Sequence, residues 1–287
     1  MIRLLQQTLL QQTLLQQTWQ TLMAHRMKSI LAIVAIAWGV ISVVVLIALG
    51  EGFYRHQTNQ LSFMANNVQL AIPSSTSKPW QGLPLRRQIT ISQDQVRTLE
   101  QSGLVKQASS LYAKWDANVT NEKGQNLTRF VSGIDSHYFS LVKRKLEQGS
   151  RDLSPSDIAN HTRVVILGDQ IAKMGDIQIG QITKINGIPF LVVGIMTDED
   201  AGLSFGDSRR VFIPHTTYLD LWDAKPWLLI LNPVDGMDST AFRQAIANFY
   251  AKKLHFDPTD KEAIRLPDYS EGAAVITGIF RGIQIFL

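Results

Sequence analysis

An uncharged apolar run, residues 30–49, constrains this chain more than any other feature of its sequence. Thirteen of its twenty residues are Ile, Leu or Val. A helix of twenty residues is about 30 Å long, which matches the hydrocarbon core of a bilayer, and thirteen such side chains favour insertion by roughly 4 to 8 kcal/mol. A helix buried in a soluble core is usually shorter and keeps a polar face. The run therefore predicts a transmembrane anchor that includes Ile30, Trp38, Gly39 and Leu49.

The charges before this run predict its orientation. Residues 1–29 contain Arg3, Arg26 and Lys28 but no acidic residue, and the cytoplasmic flanks of membrane helices are enriched in basic residues. We therefore expect residues 1–29 to be a cytoplasmic segment, in which three LLQQT repeats precede an interfacial helix over residues 18–28. Everything after the anchor is then expected to lie outside the cytoplasm.

A cleaved signal peptide is the alternative interpretation of the same residues. Basic residues precede the apolar run, and Ala48 and Gly50 are small residues in an A-x-A-like arrangement. The apolar region of a signal peptide is usually about 7 to 15 residues long, whereas this run has twenty. The difference in length favours an uncleaved anchor.

Composition excludes several classes of protein for the rest of the chain. With 287 residues, the sequence beyond the anchor can form one large or two small lobes with real cores. The 28 basic and 24 acidic residues give a net charge of +4, which is too small and too dispersed for a nucleic-acid surface. The absence of cysteine excludes disulfides, Cys-ligated zinc and thiol catalysis.

Residues 50–267 have the pattern of a mixed α+β domain. Ser92 with Gln95 three residues later forms a capping box and predicts a helix over residues 93–102. Asn186-Gly187 between two β-rich runs predicts a hairpin. We also expect a helical extension of the anchor to about residue 67, strands over 68–72, 108–120, 126–134, 163–167, 211–213 and 228–231, a short helix after Gly168, and a helix over 239–254. The predicted fold is a mixed α+β periplasmic domain, in one or two lobes, on an N-terminal transmembrane helix.

Residues 268–287 are predicted to be a stalk helix that returns to the membrane. Ile276, Phe280, Ile283 and Phe286 share one face of this helix, and the opposite face is more polar. Its apolar part reaches only about 22 Å and contains Arg281, so it does not span a bilayer by itself.

Motifs for catalysis or cofactor binding are weak. Residues 202–206 match the G-x-S-x-G nucleophile elbow, but a strand-like run follows them where that motif requires a helix. The EF-hand-like spacing that starts at Asp198 has Arg209 where calcium requires a glutamate. The six histidines form no i, i+4 pair, and no P-loop motif occurs. We predict no catalytic, cofactor-binding or metal-binding residues, and no enzyme activity.

Several stretches together resemble a known family. HRMKSILAIVAIAWGVISVVVLIALGEGF is similar to the first transmembrane helix of the MacB/FtsX-like ABC transporter permeases, in which a basic cluster precedes a long apolar helix ending in an ALGEG-type motif. The stretches ANNVQL, SGIDSHYF, TRVVILGDQIA, INGIPFLVVGIM and SRRVFIPHTTYLDL resemble ordered landmarks of the family's periplasmic core domain, and IFRGIQIFL resembles the approach to its second transmembrane helix. The resemblance covers about residues 19–287.

This resemblance implies a permease subunit of the bacterial inner membrane. It implies a homodimer that works with a separate ABC ATPase, and a periplasmic adaptor as a further partner. In such permeases ATP binding closes the ATPase dimer, the transmembrane helices move, and the periplasmic domains rearrange to export or release a substrate. Long helices on each side of a folded domain suit the rigid transmission of motion.

One difference from the family leaves two hypotheses open. Family members carry three further membrane helices after the periplasmic domain, so we expect this sequence to be either a fragment or the product of a truncated gene. Its one complete span also fits a single-anchored periplasmic binding or sensory domain without transport activity. Neither hypothesis identifies the substrate.

Overall fold

The structure, a computed structural model, describes residues 26–198 and 203–268, apart from the side chains of residues 50–67. It divides into two units, residues 1–57 and 58–287, which we describe separately. Most of the predicted interfacial helix lies outside the described residues. The predicted stalk residues also lie outside them, namely Ile276, Phe280, Ile283 and Phe286.

Helix α1 runs from Arg26 to Asn67, which confirms the predicted extension of the apolar run. Among the described residues, its segment Arg26–Leu49 is the one stretch long and apolar enough to cross a membrane. The hydroxyl of Ser42 donates a hydrogen bond of 2.8 Å to the carbonyl of Trp38, so this polar side chain is satisfied within the helix. Hydrocarbon would require such internal satisfaction. The predicted anchor residues Ile30, Trp38 and Leu49 are all exposed in this segment, and a Cβ on Gly39 would meet no atom within 4 Å.

The second unit is built on one eleven-stranded sheet with short helices on its faces. The helices are α2 Gln93–Gln101, α3 Tyr138–Val142, α4 Pro155–Ala159, α5 Asp169–Gly175, α6 His215–Leu221 and α7 Ser239–Leu254, with a 3-10 helix at Asp207–Arg209. The strands are β1 Gln69–Pro73, β2 Val105–Lys114, β3 Val119–Thr120, β4 Asn126–Thr128, β5 Val131–Ile134, β6 Val164–Leu167, β7 Ile182–Ile185, β8 Ile188–Ile195, β9 Val211–Pro214, β10 Leu228–Pro233 and β11 Ile264–Arg265. Their spatial order is β11-β1-β10-β2-β5-β9-β6-β8-β7-β3-β4.

Strand β2 joins two regions of this sheet. Its residues 105–111 pair with β10, whereas residues 112–114 pair with β5. We call the region of β1, β10, β11, α2 and α7 lobe A, and the region of β3 to β9 with α4, α5 and α6 lobe B. Because one strand belongs to both, the two lobes share backbone hydrogen bonds and not only side-chain contacts.

The described residues of this unit form three apolar cores. One lies in lobe A between the sheet and α2 and α7, and another lies in lobe B beneath α5 and α6. The third draws residues from the opposite faces of both lobes and packs around α3, and we call it the shared core. Successive residues of β10 alternate between two of these cores, Leu228 and Ile230 facing the shared core and Leu229 and Leu231 the core of lobe A. Burial on both faces explains the unbroken apolar run of this strand.

Most predicted elements are confirmed. The capping box of Ser92 and Gln95 begins α2 as expected, and Asn186-Gly187 connects β7 to β8. The predicted strand over 108–120 begins at Val105 and is interrupted after Lys114, because the chain turns from β2 toward the β3–β4 hairpin. The short elements α3, α4, α6 and β11 were not predicted.

Candidate functional site

The chain enters and leaves the folded domain at neighbouring strands. Strand β1 begins two residues after the end of α1, and β11 pairs with it in the antiparallel direction. The buried side-chain amide of Gln69 donates a hydrogen bond of 3.0 Å to the carbonyl of Pro267. The first and last described segments of the domain are therefore connected by strand pairing and by a side-chain hydrogen bond.

Two polar contacts hold the outgoing segment in place. Arg243 on α7 forms an ion pair of 2.5 Å with Asp268. The buried carboxylate of Asp260 accepts hydrogen bonds from the backbone N–H groups of Ser77 at 2.7 Å and Lys78 at 3.0 Å. Burial acts to raise the pKa of Asp260, but a hydrogen bond from the Ser77 hydroxyl at 2.7 Å, together with these backbone hydrogen bonds, stabilises the carboxylate and lowers the pKa below its usual value. Ionised groups thus connect this segment to α7 and to the loop after β1.

A cleft of about 410 Å³ separates parts of the two lobes. Arg97 and Glu100 on α2 of lobe A line one side, and α4 and the start of α6 in lobe B line the other. His137, His161 and His215, which are far apart in the sequence, all line this cleft. A volume of this size lies within the range of small-molecule sites.

Burial favours the neutral forms of two titratable groups in the cleft. Asp135 accepts hydrogen bonds from the backbone N–H groups of His137 at 2.8 Å and Ser110 at 3.2 Å, yet burial raises the pKa of Asp135 above its usual value. Burial also lowers the pKa of His215, and the nearby charge of His161 lowers it further. Perturbed titratable groups in a cleft are typical of binding or functional sites, and also of structural networks.

A second polar cluster is buried inside lobe B. Oδ1 of Asp207 accepts hydrogen bonds from the hydroxyl of Tyr138 at 3.4 Å and the backbone N–H of Phe205 at 3.3 Å, while its Oδ2 has no partner among the described residues. Burial raises the pKa of Asp207 to about 6, and the charge of Arg210 opposes this rise. The guanidinium carbon of Arg210 lies 4.7 Å from the ring centre of Trp115, so the cluster extends to the surface of the lobe.

The weak sequence motifs occupy structural positions. The hydroxyl oxygen of Ser204 accepts hydrogen bonds from the backbone N–H groups of Gly206 at 3.3 Å and Asp207 at 3.4 Å. It thereby shapes the turn into the 3-10 helix and β9. Asp198 forms an ion pair of 2.8 Å with Lys173, and Arg209 donates a hydrogen bond of 2.9 Å to Gln170. Within residues 26–198 and 203–268, no group of three or more His, Asp or Glu side chains could hold a metal ion.

The cleft and the Asp207 cluster were not identified from the sequence. The histidines form no recognisable pattern along the chain, because spacing in sequence carries no signal for groups that meet across two lobes. The polar positions around Asp207 likewise come from β5 and α3 and from the 3-10 helix, which lies far along the sequence from both. Strand β2, which pairs with both lobes, and the pairing of β5 with β9 bring these segments together.

Comparison with known proteins identifies the family. The profile of the MacB-like periplasmic core domain matches residues 29–249. The chain belongs to the MacB/FtsX-like ABC transporter permease family. It is 25% identical over 266 residues to the uncharacterized ABC transporter permease YknZ of Bacillus subtilis, covering 92% of this chain and 66% of that protein. It is 26% identical over 238 residues to the macrolide export ATP-binding/permease protein MacB of Shewanella oneidensis, covering 77% of this chain and 34% of that protein.

Solved structures show the same fold. The periplasmic region of MacB from Actinobacillus actinomycetemcomitans superposes with a TM-score of 0.59 at 16% identity, covering 76% of this chain and 95% of that one. The extracellular domain of YknZ from Gram-positive bacteria superposes with a TM-score of 0.54 at 15% identity, covering 70% of this chain and all of that one. The second unit therefore has the mixed α and β fold of the MacB periplasmic region.

Proposed function

We propose that this chain is the permease component of an ABC transporter, anchored in the inner membrane by α1 with its N-terminus in the cytoplasm and residues 50–267 in the periplasm. The observation that carries the proposal is the family match, which begins at residue 29, immediately before the apolar run, and continues through most of the folded domain to residue 249. The basic residues before the run and the absence of acidic residues there support the orientation.

We propose that ATP-driven motion reaches the periplasmic domain through the paired strands β1 and β11. A helix that moves one end of β1 displaces β11 as well, because the Gln69–Pro267 hydrogen bond and the strand pairing connect them. The shared core and strand β2 then carry the motion from lobe A to lobe B. Packed elements pass on such motion because interiors are dense and hardly compressible.

The proposed assembly contains a separate ABC ATPase, a second copy of the chain and a periplasmic adaptor. The support for these partners is the family resemblance, in which the motor, the permease and the periplasmic domain act together. The name of the Shewanella relative combines ATP-binding and permease functions with macrolide export, and no P-loop occurs in this sequence. An ATPase on another polypeptide or another part of the gene product would supply the energy.

Purification of the full native protein from its own membranes tests this function. An ABC ATPase subunit should copurify in a fixed ratio, and the complex should hydrolyse ATP. Replacing Gln69 by alanine should lower transport-linked ATP hydrolysis several-fold, because it removes the bond to Pro267. The matched control Gln101→Ala, at an exposed position of the same lobe, should change it little. If the complete native protein has no ABC ATPase partner, the proposal is wrong.

The cleft between the lobes favours a second candidate function, a single-anchored periplasmic domain that binds a small polar ligand. Its volume of about 410 Å³ and its polar lining support this role. Thermal unfolding of the full chain in detergent, with a panel of small polar molecules, tests it. A ligand that raises the unfolding midpoint, and loses this effect in His137→Ala, would support binding in the cleft. If no compound shifts the unfolding midpoint, the binding function is not supported and the transport function remains.

A further inference from the structure

Lobe B carries an exposed apolar surface that the proposed coupling does not use. Trp115 is 54% exposed, Phe130 37% and Met174 49%. Arg129 and Arg209, both exposed, lie in the same lobe and flank Phe130 and Met174 around one groove. We call these five residues the aromatic–arginine patch. Large exposed apolar side chains grouped with arginine are typical of protein interfaces.

The aromatic side chains of this patch are held in position from below. The rings of Trp115 and Phe130 meet edge to face, with centres 5.5 Å apart and planes at 73°. The guanidinium of Arg210, a buried residue, lies 4.7 Å from the Trp115 ring centre and donates a hydrogen bond of 3.4 Å to Ser132. A side chain that is already ordered loses little conformational entropy on binding. Trp115 therefore has the properties of an interface anchor.

A groove of about 500 Å³ adjoins the aromatic pair. Phe130 belongs to both features, so the groove and the exposed Trp115 ring form one continuous surface. The apolar side chains of Ile171 and Met174 line the groove, and Arg129 and Arg209 flank it. Its concave shape can take an inserted side chain, which distinguishes it from a set of protruding residues suited to a lipid surface.

The charges around the groove select the partner. The described residues that line it include two arginines and no acidic residue. The nearby carboxylate of Asp116 is already paired with Lys114 at 2.9 Å. A symmetric contact between two copies of this patch would bring arginines against arginines, which is unfavourable. An acidic segment of another protein would instead form favourable contacts with the two arginines beside the groove.

We propose that the aromatic–arginine patch binds a polypeptide segment of a partner protein in which acidic residues flank an aliphatic or aromatic side chain. The apolar side chain of this segment enters the groove beside Phe130 and lies close to Trp115. The acidic residues on either side of it form ion pairs with Arg129 and Arg209. This proposal rests on lobe B alone and does not require an ABC ATPase, so it can fail or succeed independently of the transport function.

Site-specific photo-crosslinking in cells that produce the full chain tests the proposal. A benzoylphenylalanine replaces Met174, which is 49% exposed at the groove, and in a matched control it replaces Leu85, which is also 49% exposed but lies in lobe A. The expected result is a crosslink from position 174 to a second protein, mapped by mass spectrometry to a segment with acidic residues around an apolar one, and absent from position 85. A crosslink to lipid, to a second copy of the chain, or to a basic or purely polar segment would overturn the proposal, as would equal yields at both positions.

Two substitutions sharpen this test. Trp115→Ala and Arg129→Glu, each combined with the probe at position 174, should lower the crosslink yield at least five-fold, whereas Trp115→Phe should retain most of it. Lys252→Glu, a charge reversal at an exposed position of α7 in lobe A, serves as the control and should leave the yield unchanged. The thermal unfolding midpoint of each variant verifies that the domain remains folded. Folded variants that crosslink as well as the parent protein would contradict the proposed partner.

Discussion

The buried aspartates of lobe A and lobe B have pKa values that are shifted in opposite directions. In lobe A the buried carboxylate of Asp260 is surrounded by N–H donors, which keep its pKa low, and the ion pair of Arg243 with Asp268 fixes the outgoing segment. In lobe B burial dominates at Asp207 and raises its pKa to about 6, and this residue supports the Arg210 that underlies an exposed tryptophan. Lobe A thus connects its entering and leaving segments through charged groups, whereas lobe B buries its aspartate and Arg210 beneath an exposed tryptophan.

The two lobes nevertheless share one core and one strand. Leu70 and Ile230 from lobe A pack in the same cluster as Ile166 and Phe212 from lobe B. Separate domains would each have an independent core and would unfold independently. We therefore expect substitutions in either lobe to shift a single unfolding transition, and the predictions below begin with the largest effect.

Phe242→Ala tests the core of lobe A. Phe242 is 1% exposed, and removing a buried phenylalanine ring costs about 3 to 5 kcal/mol. We expect one cooperative transition at a much lower temperature, measured by circular dichroism of the full chain. Phe130→Ala, at a half-exposed position of lobe B, is the control and should cost far less. Two separate transitions in Phe242→Ala would contradict the shared core.

Gly168→Ala tests the packing of lobe B. A Cβ at this position would lie 2.4 Å from the backbone oxygens of Asp207 and Ser208, so the end of β6 allows no side chain beside the 3-10 helix. Overpacking of this kind costs about 1 to 3 kcal/mol. Denaturant unfolding should show this loss, and Gly39→Ala, where a Cβ meets nothing within 4 Å, should show none. An unchanged midpoint for Gly168→Ala would mean that the 3-10 helix moves freely.

Asp260→Asn tests the polar contacts of lobe A. The native carboxylate has a lowered pKa, so its stabilisation is fully present above the unfolded value near 3.8 and is lost as the pH falls through the folded pKa. We expect the variant to lose about 2 kcal/mol at pH 7, and the difference from the parent protein should shrink below pH 3.8. A difference that stays constant over this range would show that charge at Asp260 is not the cause.

Asp207→Asn tests the raised pKa in lobe B, which gives stability the opposite pH dependence to that expected from Asp260. The folded pKa of about 6 exceeds the usual 3.8, so the native state binds the extra proton between these values and becomes less stable as the pH rises through this window. We expect the substitution to reduce that slope by at most about 1.4 kcal/mol per pH unit. Urea unfolding at several pH values between 4 and 7 measures it. A steeper slope in the variant would reverse the contrast between the lobes.

Local sequence signals were sufficient for most of the secondary-structure elements, although not for their order in the sheet. The capping box of α2 and the Asn-Gly turn between β7 and β8 act through neighbouring residues, so they can be recognised without tertiary information. Helix α4 also has such a signal, a capping box of Ser154 and Asp157 with Pro155 between them, although no helix was predicted there. Helices α3 and α6 are too short to show a clear helical period, and β11 has two residues and is defined only by its pairing with β1.

The candidate sites depend on contacts between distant residues. The cleft assembles His137, His161 and His215 from three segments, and the cation–π contact of Arg210 with Trp115 connects two more. Such contacts cannot be recognised from periodicity or spacing in a single sequence. They depend on the order of the strands in the sheet, which local sequence preferences do not determine. The predicted anchor on α1 is the exception, since length and composition are sufficient to propose a membrane span.

The most direct test of the central claim is the labelling of single cysteines. Because the native sequence contains no cysteine, Lys123→Cys in the exposed β3–β4 turn and Gln17→Cys before the anchor each report one position. The account predicts that a membrane-impermeant maleimide labels position 123 in intact spheroplasts and position 17 only after lysis, with both proteins at full mass in the membrane fraction. Labelling of position 17 in intact spheroplasts, or a mature protein that lacks residue 17, would contradict an anchored periplasmic domain.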